Sequence, residues 1–321
     1  MSKVKNTDYL CLSAMLRAKE ARMLTRDRME TMLAEASYAD TARALTDCGY
    51  EDMSGLDTRG INAALEAHRA LEIADVYELC PHKTVVDIFR LKYEYHNAKT
   101  LVKSSGAAES LLSGSGRSTV AELQHAYESG DGSELAPVLA QAMEEAKVTL
   151  ARTGDPQLSD FILDKAYFAE LSSLAEKIGD SFINEYVRVL IDSTNLRIAV
   201  RGMSIGKADK LSGALIPGGS IDADAVKAAM ESRDALIALY ANTVFAEAVQ
   251  TEGMTAFELA ADNAVNGFLA DSERIAFGPA AVVGYLAAVE NEIMAIRIIL
   301  TGKLMGIDPK LLRERLRDCY V

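Results

Sequence analysis

The stretch EYHNAKTLVKS, residues 94–104, returns as DSTNLRIAVRG at 192–202 and, in part, as ENEIMAIRIILTGK at 290–303. Glu94, Asn97 and Lys99 share their spacing with Asp192, Asn195 and Arg197. Glu292 and Arg297 repeat the acid and the base, with Ala295 in the amide position. The three acids lie 98 and then 100 residues apart, and upstream Glu66, Asp164 and Asp262 follow at an interval of 98. Only 9 Asn occur in the chain, so composition alone does not account for two full copies of an acid-x-x-Asn-x-base string. Self-similarity at a fixed interval marks stacked or ring-like units, and a period this long suits a multi-helix module used three times. The repeat divides the chain into helical modules at 1–106, 107–206 and 207–321, with no linker-separated domains.

Around these strings the periodicity is helical. Val282, Leu286, Val289, Ile293, Ile296 and Leu300 step by four and three, one apolar stripe on a long helix. Elsewhere Ala, Leu, Glu, Lys and Met supply good helix formers, and no alternating β-branched run argues for a sheet. Thr119 to Glu122 has capping-box spacing, Ser37 to Asp40 is a weaker variant, and Asp308-Pro309 sets a cap before a first-turn proline. Gly49, Pro81, Gly154, Gly179 and the IPGGS stretch at 216–220 are stops, and Gly202 reads as a helix end. SSGAAESLLSGSGRS, residues 104–118, is the one flexible-looking connection of any length, and its deletion from Ser105 to Gly116 is expected to be tolerated. The fold class is all-α, with about a dozen helices expected from these start and stop signals.

Composition narrows the function. In 321 residues, 49% are hydrophobic and 25% charged, with only 6 Pro and no Trp, which fits a globular helical chain with an aliphatic core. The net charge of -13 opposes phosphate neutralisation and attraction to anionic lipid, so nucleic acid is not an expected partner. Cys11, Cys48, Cys80 and Cys319 form no CxxC pair and read as reduced thiols. The N-terminal residues lack the apolar core of a signal peptide. The longest uncharged run, Ile275 to Val289, falls short of the roughly 20 residues that span a bilayer.

Chemistry-bearing motifs are missing from the sequence. His68, His82, His96 and His125 have no HxxxH spacing, the di-carboxylate bundle signature of Glu-x-x-His on paired helices is absent, and no GxxxxGK[ST] loop occurs. An all-α diphosphate-processing enzyme would need an Asp-rich magnesium helix, and DADA at 222–225 reads instead as a helix cap. No catalytic, cofactor-binding or metal-ligating residue is nominated, and no small-molecule substrate is expected.

Residues five apart on a helix point about 140° from each other, so Glu94 and Lys99, or Asp192 and Arg197, cannot form a local bridge. Closed head-to-tail packing of three modules would let the acid of one meet the base of the next. Three solvated helix faces are the plainer alternative. Glu94, Asn97, Lys99, Asp192, Asn195, Arg197, Glu292 and Arg297 are therefore the candidate structural or interface residues.

Four segments, taken together, resemble a known family. They are RAKEARMLTRDRMETMLAEASYADTARALTDCGYED (17–52), FRLKYEYHNAKTLVKS (89–104), LIPGGSID (215–222) and VENEIMAIRIILTGKLMGIDPKLLRERLRDCYV (289–321). The chain is similar along nearly its whole length to the C subunit of V/A-type rotary ATPases, relatives of the eukaryotic V-ATPase d (AC39) subunit. The resemblance implies a funnel or socket of three similar modules about a pseudo-threefold axis. It also implies a non-catalytic central-stalk rotor part at the cytoplasmic face of the membrane, without cofactor, in ATP-linked ion transport. Its implied partners are the central-shaft subunits and the proteolipid ring. An unrelated all-α cytosolic scaffold or adaptor has the same composition and periodicity.

Overall fold

The computed structural model describes residues 4–104 and 111–319 of the chain. Among these residues every regular element is helical, as the periodicity predicts. In chain order the α-helices are α1 (Leu10–Glu20), α2 (Arg26–Ala34), α3 (Tyr38–Ala44), α4 (Thr58–Leu79), α5 (Thr84–Ser104), α6 (Val120–Ser129), α7 (Pro137–Thr153) and α8 (Pro156–Ile178). They continue with α9 (Ser181–Ser204), α10 (Ala208–Ser212), α11 (Ala223–Ala229), α12 (Arg233–Tyr240), α13 (Met254–Ala270), α14 (Pro279–Leu304) and α15 (Pro309–Arg313).

Two compact units share the chain. One is His82–Ala241, carrying α5 to α12; the other joins Ser2–Pro81 to Asn242–Val321 and carries α1 to α4 with α13 to α15. In the first, α8 packs along α5, α7 and α9, and α10 and α11 sit against α9. Leu91, Leu101, Leu163, Leu171, Ile183 and Ile191 are closed to solvent at its centre. In the second, α14 is the central rod, contacted by α4 and by α1, α2, α3, α13 and α15. The stripe from Val282 to Leu300 is buried as expected, but the first half of α14 is enclosed on every side, with Pro279 through Val289 all buried. That enclosure explains why this segment lacks a polar face in the sequence: a helix surrounded by others needs none.

Local signals act where the sequence places them. Thr119 accepts the Glu122 N–H while Glu122 bonds back to the Thr119 N–H, a complete capping box opening α6. Asp222 caps α11 through the N–H groups of Asp224 and Ala225, and Asp308 caps α15 ahead of Pro309. Gly154 and Gly179 end α7 and α8 in the left-handed conformation. Gly202 differs from its sequence reading. Helix α9 runs past it to Ser204, and the left-handed residue is Gly206, with φ 65°. Gly202 is buried because α10 returns against it: an added Cβ would stand 3.3 Å from the Ala208 Cα.

The connection after α5 also departs from expectation. Residues 105–110 lie outside the described residues, but Ser113 and Ser115 are buried despite a composition that reads as linker. The reason lies in the side chains of α5 that hold this segment.

Candidate functional site

Glu94 and Asn97 lie one turn apart on α5 and face the segment 113–118. Asn97, fully enclosed, holds a single residue's backbone from both sides: its Nδ2 donates to the Ser113 carbonyl at 2.8 Å and its Oδ1 accepts the Ser113 N–H at 2.8 Å. Glu94, 1% exposed, accepts the Ser118 N–H at 2.8 Å and the Ser118 hydroxyl at 2.6 Å through Oε1. Its Oε2 takes the Arg117 Nε at 2.7 Å, and Arg117 also donates to Glu170 on α8 at 2.7 Å. Burial works to lower the Arg117 pKa, but the two carboxylates outweigh it and hold the guanidinium above its ordinary value. Tyr95 donates to the other Glu170 oxygen at 3.0 Å, which ties the cluster to α8.

Helix α9 repeats the arrangement. Asn195, fully enclosed, donates to the Ile216 carbonyl and accepts the Ile216 N–H, both at 2.8 Å. Asp192, 3% exposed, accepts the N–H of Ser220 at 3.0 Å and of Ile221 at 3.1 Å. Burial raises its pKa, and the two backbone donors only partly restore the charged form. Gly219 passes so close to the Asp192 carboxylate that a Cβ there would collide with Oδ1.

On α14, Glu292 accepts the Leu24 N–H at 2.9 Å and the Tyr50 hydroxyl at 2.7 Å. Burial raises the Glu292 pKa against the pull of these donors. Tyr50, stacked on the His68 ring at 4.0 Å between centroids, is pushed well up by burial and by the neighbouring carboxylate. Ala295 has no amide to offer. It lines a small pocket of about 20 Å³ with Leu24, Met29, Glu292, Arg317 and Cys319.

The three clamps share a register that the sequence spacing alone does not reveal. Ser118, Ile221 and Leu24 each directly precede a helix N-cap: Thr119 for α6, Asp222 for α11 and Thr25 for α2. In every case the acid on the long helix fixes the amide at the doorway of a shorter helix. Ser113 and Ile216, held by the amides, both lie six residues before their caps. Buried backbone groups need partners, and these segments lack a ladder or helix of their own to supply them.

The bases do different work. The Lys99 ammonium pairs with Asp164 on α8, Arg197 donates to Ser193 on its own helix at 2.7 Å, and Arg297 donates to Asn62 on α4 at 3.0 Å. Of the acids at the 98-residue interval, Asp164 thus receives Lys99, Glu66 pairs with Arg69, and Asp262 pairs with Arg317 at 2.6 Å. The described side-chain partners of Glu94 and Asp192 lie downstream within 23 to 29 residues, on a loop, and none of them is Lys99, Arg197 or Arg297. Sequence reasoning did not find Arg117, Glu170, Tyr50, Leu24 or Gly219. An Arg inside a Gly/Ser stretch was the available signal for the first, and the GG pair in IPGGS for the last.

No group of three or more His, Cys, Asp or Glu among the described residues is arranged to hold a metal ion. No described helix is long and apolar enough to cross a membrane. The polar groups of the repeat hold loops to helices, which is the work of a structural helical protein. Residues 12–315 match the family model described as ATP synthase (C/AC39) subunit, and the chain belongs to that family. It is 23% identical to the C subunit of the V-type sodium ATPase from Enterococcus hirae, over 98% of this chain and 99% of that one. It is 24% identical to the C subunit of the A-type ATP synthase from Methanocaldococcus jannaschii, over 96% and 86%. To the C subunit of the V-type ATP synthase from Thermus thermophilus it is 24% identical over 63% and 65%. The family is a non-catalytic structural part of rotary ATPases, which are membrane-associated complexes, so this chain belongs to such an ATPase and has its other subunits as partners.

Proposed function

We propose that this chain is the central-stalk rotor subunit that joins the central shaft to the proteolipid ring at the cytoplasmic face, so that the two turn together in ATP-linked ion transport. Three sibling modules, 1–106, 107–206 and 207–321, surround a pseudo-threefold axis and form the socket that receives the shaft. The observation that carries this reading is the clamp itself. Three long helices each hold, by a buried acid, the amide that opens a shorter helix. A part that transmits torque must resist deformation at its connections, and close-packed helices with buried, satisfied loop contacts provide that stiffness. The net charge of -13 suits a shaft tip bearing basic residues and disfavours nucleic acid as a competitor.

The test is co-purification of the full chain with the shaft subunits and, separately, with the detergent-solubilised proteolipid ring. Retention on both supports the rotor reading. Retention on neither overturns it in favour of a scaffold unconnected with the rotor.

A further inference from the structure

The three clamps differ in the charge around their acids. Glu94 has the Arg117 guanidinium at 2.7 Å, and Asp192 has two backbone N–H groups. Glu292, 6% exposed, receives the Leu24 N–H and the Tyr50 hydroxyl and, among the described residues, no cation at hydrogen-bonding or ion-pairing distance. Burial is the chief reason that it holds a proton more tightly than usual, and the charge of Glu72 on α4 adds to the effect. Tyr285, two turns before Glu292 on α14, donates to that same Glu72 at 2.6 Å. After burial and this bond, the charges of Glu72, Glu292 and Glu20 all act on its hydroxyl. Three carboxylates from α1, α4 and α14 therefore share one core with two tyrosines.

The cations around this core already have acceptors. On α1, Lys19 lies 2.8 Å from Glu72 and 3.2 Å from Asp75, and Arg17 pairs with Glu20 at 2.8 Å. Beside Glu20, η5 (Asp271–Arg274) brings Glu273, a further negative charge. On α4, Arg69 pairs with Glu66 and Glu290, and burial lowers the pKa of His68, so the ring stacked on Tyr50 carries no charge near neutral pH. Arg28 of α2 donates to Cys48 Sγ at 2.9 Å, and Lys303 of α14 to the Leu33 and Glu35 carbonyls. Arg43 of α3 pairs with Asp40, Arg313 of α15 with Glu30, and Arg317 with Asp262 of α13. Asp318 and Cys319, which line the pocket beside Glu292, add no positive charge. A buried charge without a counter-ion is costly, and binding a proton removes it. The neutral carboxyl keeps both contacts: its carbonyl oxygen accepts the Leu24 N–H, and its O–H donates to the Tyr50 oxygen where the anion accepted from it.

We propose that Glu292 is a proton-binding site that controls the doorway of α2. With the proton bound the clamp on Leu24 stays closed; with the proton released it opens more readily. The Glu72–Lys19 pair sets the pH at which this happens. In the open form Glu292 meets water and titrates as an ordinary carboxyl, so the closed form binds the proton more tightly and rising pH favours opening. The clamp on Ser118 lacks this response because Arg117 balances Glu94. The site does not depend on the rotor reading.

Amide hydrogen exchange of the full chain tests it. The rate of the Leu24 amide is divided by that of its counterpart Ser118 at each pH between about 5 and about 8, which cancels the dependence common to both. In the unaltered chain the ratio should rise with pH, by about tenfold for each unit separating the closed and open forms. Glu292→Gln, an isostere of the protonated carboxyl, should hold the ratio at its low-pH value throughout. Glu72→Gln should shrink the rise and Lys19→Gln should enlarge it, opposite responses that general loosening of the core does not produce. A ratio that is flat or falls with pH overturns the proposal. So does a Glu292→Gln chain that does not fold, or whose Leu24 amide exchanges faster than the unaltered chain's at the high-pH end. Responses of the same sign in Glu72→Gln and Lys19→Gln, or none, overturn the control assigned to that pair.

Discussion

Asn195→Ala removes one of the two fully enclosed amide contacts to a loop in the His82–Ala241 unit. The side chain makes two hydrogen bonds to one residue's backbone, donating to the Ile216 carbonyl and accepting the Ile216 N–H, both at 2.8 Å, and is fully shielded from solvent. Each such bond contributes only about 1 kcal/mol net, but truncation leaves a buried N–H and a buried C=O without partners, at about 1–3 kcal/mol each. Water entering the vacated space recovers part of this, which places the expected loss near ~3 kcal/mol. Against a typical total of about 5–15 kcal/mol that is a large fraction. Urea denaturation followed by far-UV circular dichroism would show a lower midpoint. Amide exchange across 214–221 would accelerate by roughly 10²-fold, since about 1.4 kcal/mol corresponds to tenfold. Asn195→Asp, which keeps the acceptor but loses the donor and places a second carboxylate one turn from Asp192, should do no better at neutral pH. A loss below about 0.5 kcal/mol with unchanged exchange would refute the view that the amide holds this loop.

Gly219→Ala should cost about 2–4 kcal/mol, because the new methyl meets the Asp192 carboxylate and displaces it from two backbone amides; thermal denaturation reads the loss, and an unchanged midpoint contradicts it. Deleting 111–116 should lower thermal stability markedly, since it removes Ser113 from Asn97 and Gly116 from Arg90, and a stable deletion variant would return the segment to linker status. Glu292 supplies a pH signature. Burial raises its pKa above the ordinary 4.5, so the folded chain keeps a proton that the unfolded chain has lost. Its contribution to stability is then full below about pH 4.5 and falls as pH rises through the raised value. Glu292→Gln abolishes that component, and the stability of the unaltered protein minus that of the variant should decline with rising pH across this window. A difference that climbs with pH would sink the assignment.

Much of the helical frame can be read from the sequence because its causes are local. The Thr119 capping box, the Asp222 cap and the stripe on α14 each depend on residues within a few positions, and each is where the spacing predicts. The repeat is visible for a related reason: a buried acid and a buried Asn at fixed spacing leave a recognisable string wherever the same clamp is built. The partners of that string are harder to see. Ser113, Ile216 and Ile221 are held through backbone groups, which every residue carries, so no side chain advertises the contact. A Gly/Ser-rich stretch therefore reads as linker while Asn97 keeps Ser113 buried. Gly202 shows the same difficulty. Its absent Cβ admits a returning helix, whereas the local reading sees only a helix end. Leu24 and Glu292 meet across 268 residues, a distance over which pattern alone gives no pairing rule.

The clamp on Leu24 has a consequence for biosynthesis. Chains leave the ribosome N-terminus first, at about 5–20 residues per second, and domains tend to fold as their residues become available. The His82–Ala241 unit receives both of its clamps from residues made within that span. The Leu24 amide and the Tyr50 hydroxyl, made long before, must wait for Glu292, which follows at a delay of tens of seconds on that scale. The first helices to be made are thus among the last to be locked. Met29, Met32 and Leu33, which end up buried, remain available to chaperones or to other nascent chains until α14 arrives.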